Sequence, residues 1–181
     1  MGNPMARTKI HSDNNLQTGS DYLEYHIRMY VETLLWLRDH ECDANREIYY
    51  WNAILEDNLI HARLLIDFVC KTQARSDDIL AIDYFHDLKN LYVPLDNQFL
   101  TDWAKIIGGK FVHITTKPMP ALKSHQSWPI FEIAKRLIPG LTAFLDAVPE
   151  TRLANGVKND CDNHLVRLHS LPNNMSLNVS T

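Results

Sequence analysis

The sequence predicts an all-α protein, a helical bundle of about five helices with disordered N- and C-terminal tails. Three observations support this prediction. Apolar residues recur at helical spacing through most of the chain, no segment shows the alternation that is typical of a strand, and only six of the 181 residues are glycine. Scarce glycine argues against a β-rich fold, which needs many tight turns.

We expect a single helical-bundle domain at residues 20–149, between a flexible N-terminal arm at 1–19 and a mostly disordered tail at 150–181. Residues 1–19 are polar and lack periodicity, and polar chain ends are often poorly ordered. The end of the chain is rich in Asn and Ser, a composition that cannot bury enough apolar surface to fold. The first helix is expected to begin at Ser20 or Asp21, which are good capping residues.

Four more helices are expected after the first one, which ends near residue 40. The second covers about 45–72. The third covers about 76–92, and its start is predicted from Ser and Asp residues that can cap a helix. The fourth begins at a cap formed by Asp96, and the Gly108–Gly109 pair weakens it. The fifth begins at Pro129, and Pro139–Gly140 predicts a kink or a break inside it.

Composition excludes several classes of protein. The net charge is −4 and no run of basic residues is present, whereas proteins that live on nucleic acid usually carry a basic face. The three cysteines are widely spaced and odd in number, which argues against a disulfide framework. No apolar stretch is long enough to span a membrane, and the N-terminus has no apolar core of a signal peptide. We therefore expect a cytoplasmic protein without a membrane partner.

The second predicted helix carries an unusual number of polar residues for such an apolar segment. At 100° per residue, four of them fall within about 60° of one another and form one line along the helix. This line, which we call the 52–67 stripe, consists of Asn52, Glu56, Arg63 and Asp67. Asp57 and His61 lie on the opposite side, and their spacing of four residues brings their side chains within reach.

Three interpretations of these polar residues remain open at this stage. The stripe is a solvated face with an ordinary Arg63–Asp67 ion pair, or an internal network that fixes the packing of neighbouring helices, or a ligand or catalytic site. Together with Asp57, His61 and His113, its residues form the candidate polar network or site.

Histidines occur once in each of the first four predicted helices, at His26, His61, His86 and His113. Helical bundles do build metal sites from facing helices. However, the Glu-x-x-His and His-Glu-x-x-His patterns of such sites are missing, as is a Cys pair at zinc spacing. We therefore predict no metal site, no cofactor and no catalytic set, and keep a His/Asp metal-binding bundle as an alternative.

The segment WNAILEDNLIHARLLIDFV at 51–69 resembles an uncharacterised family of bacterial all-helical proteins with the pattern Asn-Ala, Glu, His-Ala-Arg and Asp-Phe. The resemblance continues at 76–85, 110–115 and 127–131, and it implies a helical fold without assigning an activity. The chain also distantly resembles HEPN domains, which are helical and include ribonucleases. Their motif, an Arg followed after four to six residues by a His, is absent here: Lys105 and Lys110 precede His113, but neither is Arg, and seven residues separate Lys105 from His113.

Our leading hypothesis for function is a non-enzymatic helical interaction or scaffold module, with a homodimer or an unknown protein as its partner. The alternatives are a HEPN-like RNA-binding protein or ribonuclease of a defence or toxin–antitoxin system, with RNA as a less favoured partner, and the metal-binding bundle.

Overall fold

The computed structural model describes residues 11–40, 48–73, 77–88, 91–109 and 128–168. These residues form five α-helices and no strand, which confirms the prediction of an all-α bundle. The helices are α1 (Asp13–Asp39), α2 (Ile48–Cys70), α3 (Gln98–Ile107), α4 (Ile130–Ala147) and α5 (Val157–Val166). Short 3₁₀ helices occupy Ala81–Phe85 and Glu150–Arg152.

The two longest helices, α1 and α2, pack against each other in antiparallel orientation. Asn58 of α2 is fully buried between them, and its side-chain amide donates to the Tyr30 carbonyl at 3.1 Å and to Thr33 Oγ1 at 3.0 Å. The Asn58 Oδ1 atom is buried without a hydrogen-bond partner. Because buried polar groups favour the packing that satisfies them, Asn58 fixes the register of the two helices.

The first helix begins earlier than the sequence predicted. Ser12 caps α1, with its Oγ accepting from the Asn15 backbone N–H at 3.3 Å, so residues 13–19 are helical and do not belong to a flexible arm. Ser20, the expected cap, is completely buried inside α1. Its hydroxyl donates to the Gln17 carbonyl at 2.7 Å and accepts from the Ala154 N–H at 2.8 Å, so it ties α1 to the C-terminal region.

The third predicted helix, 76–92, is wrong as an α-helix. Residues 78–80 lead without helical structure into the 3₁₀ helix Ala81–Phe85. The Asp83 carboxylate accepts from the Leu80 N–H at 2.7 Å, and the Tyr84 hydroxyl donates to the Leu16 carbonyl at 2.8 Å. These contacts favour a short turn fastened to α1 over a longer helix, because tertiary packing overrides local helix propensity.

Pro139 and Gly140 do not break α4, which is continuous from Ile130 to Ala147. Gly140 is needed for packing, since a Cβ atom at this position would lie 2.7 Å from Leu95 Cδ2. On the same helix, Phe144 is fully buried and contacts Phe68 edge to face, with ring centroids 5.0 Å apart. The residues before α3 and the helix α4 therefore close one side of the core.

The folded domain continues past residue 149, so the prediction of a mostly disordered tail from 150 onward is wrong for residues 150–168. Arg152 is buried, and its guanidinium donates to the Tyr84 carbonyl and to Asp87 Oδ1, the latter at 2.5 Å. In and beyond α5, four buried apolar side chains pack into the core: Val157, Cys161, Leu165 and Leu168. Residues 169–181 lie outside the described residues.

The short helix α3 is capped by Asn97, whose Oδ1 accepts from the Leu100 N–H at 3.2 Å, and not by Asp96 as predicted. It ends at Ile107, directly before the Gly108–Gly109 pair. Gly108 and Gly109 continue as a π-helical turn, and the fourth predicted helix from residue 110 onward lies outside the described residues. No helix in the described part of the chain is long and apolar enough to cross a membrane.

Candidate functional site

A groove lies between α1, the C-terminal half of α2 and residues 77–79. Its volume is about 550 Å³, within the range of small-molecule sites in proteins. Its floor is apolar and is formed by Leu23, Leu65, Phe68 and Ile79, and Leu64 forms part of one wall. Its rim is polar and carries Asn15, Thr18, Tyr22 and Asp77. We call this feature the α1–α2 groove.

His26 lies at one end of the groove and is bonded to His61 of α2. The two Nδ1 atoms are 2.9 Å apart, and His61 Nε2 lies 3.4 Å from Asp57 Oδ1. Asp57, His61 and His26 therefore form a chain that runs from the surface of α2 through the helix interface to the groove. Asp57 and His61 do approach each other as the sequence predicted.

Ring geometry identifies the contact between the two histidines as a hydrogen bond. Their ring centroids are 5.1 Å apart, close to the roughly 5.2 Å expected when two ring nitrogens at this separation point at each other. If the two Nδ1 atoms were ligands of one metal ion, their lone pairs would point at the ion and not at each other. One Nδ1 donates and the other accepts, so the two rings cannot both be fully protonated while this bond is kept.

Burial explains the protonation state of this pair. Desolvation lowers the pKa of His26, and the neighbouring His61 lowers it further. Desolvation also lowers the pKa of His61, although the carboxylate of Asp57 acts in the opposite direction. Both imidazoles are therefore neutral at pH 7. Because a carboxylate accepts only, His61 carries its proton on Nε2 and accepts at Nδ1, and His26 donates from Nδ1 and keeps a lone pair on Nε2.

Aromatic side chains shield the histidine pair from one side. The Tyr25 ring contacts both imidazoles edge to face, at centroid distances of 5.3 Å from His26 and 5.7 Å from His61. Tyr22, one turn earlier on α1, is 65% exposed, and Leu64 on the opposite wall is 40% exposed. Exposed apolar side chains around a concave site are common where a protein binds a ligand or partner.

His11 closes the other end of the groove. Its ring is buried, and its Nε2 atom lacks a hydrogen-bond partner and lies 4.0 Å from Asp83 Oδ2. A buried polar atom without a partner is uncommon in a folded protein. The groove thus ends in an imidazole on both sides.

The 52–67 stripe does not form an internal network. Asn52 and Glu56 are exposed. The side chains of Arg63 and Asp67 are only partly exposed, at 27% and 22%, and form an ion pair at 4.0 Å, while Lys71 approaches Asp67 more closely, at 2.8 Å. Of the three interpretations, the solvated face is the one that agrees with this exposure, and the stripe lies outside the residues that line the groove.

Arg63 has one further neighbour, at the end of α3. A Cβ atom added at Gly108 would lie 3.1 Å from Arg63 Nε, so glycine at this position leaves room for the guanidinium. A cation at a helix C-terminus interacts favourably with the helix dipole. His113, the remaining candidate residue, lies outside the described residues.

Sequence reasoning noticed His26 but did not pair it with His61, and it missed Asn58 and His11. For Asn58 a signal was present, because it lies on the apolar face of α2 between Leu55 and Ala62, both buried. The pairing of His26 with His61 spans 35 residues, and no local pattern predicts a contact across that distance.

Metal ligands and reactive thiols are not grouped at this site. Among the residues that the structure describes, no three His, Cys, Asp or Glu side chains are placed to hold a metal ion, so the metal-binding alternative gains no support from them. Cys70 and Cys161 are free cysteines, and burial raises the pKa of the Cys70 thiol to about 11 and that of Cys161 to about 12. Neither is a thiolate at neutral pH, so neither is an activated nucleophile.

Comparison with known proteins found no relative of this chain. No family model matches this chain, and neither a curated protein nor a solved structure matches it. The resemblances to an uncharacterised bacterial helical family and to HEPN domains therefore stay predictions, and the candidate site stands on its own geometry.

Proposed function

We propose that this protein is a non-enzymatic binding module and that the α1–α2 groove is its binding site. The observation that supports the proposal is a groove of about 550 Å³ with an apolar floor, a polar rim and an imidazole at each end, His26 and His11. Binding sites for small molecules combine a mostly apolar lining with a few fixed polar groups. The histidine pair fixes the orientation of His26 before any ligand arrives.

Two buried hydroxyl groups close to the groove residue Gly19 are used for structure. The Ser20 hydroxyl is bonded to Gln17 and Ala154, and the Tyr84 hydroxyl is bonded to the Leu16 carbonyl. Nucleophilic catalysis needs a hydroxyl or thiol within hydrogen-bond reach of a base, and both of these hydroxyls already donate to backbone carbonyls. This arrangement supports a module that binds its ligand without changing it.

We include a cytoplasmic location in this proposal, since free cysteines are typical of reducing compartments. A homodimer, a protein partner and RNA binding stay predictions.

A fragment screen by ¹⁹F NMR tests the proposal, with Leu64→Trp as a variant that fills the groove. The matched control is Glu56→Trp, which adds the same side chain at an exposed position of α2 that does not line the groove. We expect fragments that bind the parent and Glu56→Trp, that bind Leu64→Trp weakly, and that are recovered unchanged after incubation. Absence of binding, equal binding to both variants, or chemical conversion of a bound fragment would contradict the proposal.

A further inference from the structure

We propose that the α1–α2 groove takes a single-chain aliphatic amine, with the chain on the apolar floor and the ammonium group donating to His26 Nε2. This inference rests on the proposed function and specifies its ligand class. Three features of the groove support it: its length, the acceptor at its end and the charge around it.

The groove is elongated along α1. From Asn15 to His26 it follows the helix for about 16 Å at 1.5 Å per residue. Its floor is built from side chains of α1, α2 and the segment before the 3₁₀ helix, and these are apolar along this length: Leu23, Leu65, Phe68 and Ile79. A ten-carbon chain, about 12 Å long when extended, fits this length and contacts the floor throughout. Burial of each methylene on such a floor contributes to affinity.

Because His26 Nε2 is a hydrogen-bond acceptor, the polar group of the ligand must be a hydrogen-bond donor. Asp57 accepts from His61, and His61 in turn accepts from His26 Nδ1. This order of donors leaves the lone pair of His26 Nε2 as an acceptor. An ammonium group offers three donors and no acceptor, whereas a carboxylate offers acceptors only and would face the lone pair without a proton between them.

The charges around the groove favour a cation. Asp57 lies behind His61, and Asp77 lies on the rim. The cation Arg28 on α1 is held over the Tyr25 ring at 5.7 Å and by Glu24 at 3.3 Å. With both imidazoles neutral, the remaining charge at the groove is negative, so the local field attracts an ammonium group and repels a carboxylate. The exposed ring of Tyr22 adds a surface on which a cation can lie.

Three ligands share a ten-carbon chain and differ only in their polar group: decylammonium, 1-decanol and decanoate. Isothermal calorimetry at pH 7.5, below their aggregation limits, separates the contribution of the polar group to affinity from that of the chain. We expect decylammonium to bind at least about tenfold more tightly than decanoate, with decanol between them, because a charge-assisted donor is stronger than a neutral one. The variant His26→Phe should remove the preference for the amine.

A second variant keeps the test valid if His26→Phe does not fold. Leu64→Lys changes a partly exposed groove residue and places a cation at the wall, so it should weaken decylammonium and tighten decanoate. Its matched control, Asn52→Lys, adds the same charge at an exposed position outside the groove and should leave both affinities unchanged.

The outcomes distinguish this inference from the proposed function. If all three ligands bind the groove equally, or if decanoate binds most tightly, the ligand class is wrong while the binding module stands. If the amine preference survives in His26→Phe, the acceptor assignment is wrong. If none of the ligands binds but fragments do, the chain-like ligand is wrong; if neither binds, both proposals fail.

Discussion

Replacing His61 by alanine should destabilise the protein far more than replacing Arg63, although the two residues are neighbours on α2. His61 is 5% exposed and is bonded to His26 and Asp57. Arg63 has a side chain that is 27% exposed and forms an ion pair at the 4.0 Å limit. We expect losses in unfolding free energy of about 2–3 kcal/mol for His61→Ala and less than about 1 kcal/mol for Arg63→Ala.

The larger value combines two contributions. Loss of the hydrogen bond with His26 leaves a polar group less satisfied, at about 1 kcal/mol. Loss of the ring contacts with Tyr25 and His26 adds about 1–2 kcal/mol, below the range for a sealed core cavity because this end of the groove is open to water. In Arg63→Ala, the Asp67 carboxylate still has Lys71 as an ion-pair partner at 2.8 Å, so the substitution leaves no unpaired charge.

Urea unfolding followed by circular dichroism measures both losses. With a slope of about 2 kcal/mol per molar urea, His61→Ala should lower the midpoint by about 1–1.5 M and Arg63→Ala by less than about 0.5 M. The exposed Asn52→Ala serves as control and should stay close to the parent. A loss for Arg63→Ala that equals or exceeds the loss for His61→Ala would refute the distinction between a solvated stripe and a buried histidine pair.

Three further predictions concern pH, packing and the C-terminal region. Because the folded-state pKa values of His26 and His61 are lowered, their contribution to stability is fully present above the unfolded pKa of about 6.5. It should be lost as the pH falls through the lower folded values, so the urea midpoint should drop between pH 7.5 and 5.5, and a midpoint that rises would contradict this. Gly140→Ala should cost about 1 kcal/mol net by thermal denaturation, because the new methyl group forces the end of the Leu95 side chain to move and the gain in helix propensity offsets part of that cost; Gly109→Ala, with open space around it, is the control and should not destabilise the protein. Arg152→Ala should cost about 2–3 kcal/mol in urea, and an unchanged midpoint would show that residues after 149 do not stabilise the domain.

Local rules predicted most of the α-helices, because a helix is specified by a repeat of three to four residues. The bounds expected for the second and fifth helices are close to those of α2 and α4. The same rules contained the signal for α5, where Val157, Cys161 and Leu165 recur every four residues. This signal was overlooked because the residues between them are polar.

The third predicted helix failed for a physical reason that the sequence does not display. Residues 76–92 have a good cap and apolar residues, yet Tyr84 reaches Leu16 and Arg152 reaches Tyr84, contacts that each span 68 residues. A tertiary contact of this kind outweighs the few tenths of a kcal/mol per residue by which local propensities differ.

The sequence by itself determined the helical class and which polar residues of α2 share one line, since both follow from spacing along one helix. The exposure of that line was decided by the tertiary structure. Only the tertiary structure decided which residues meet. It placed His26 against His61, buried Ser20 against Ala154 and opened a groove between α1 and α2. These arrangements depend on the antiparallel packing of distant segments, and the free energy that selects such packing comes from the whole core and not from any short stretch of chain.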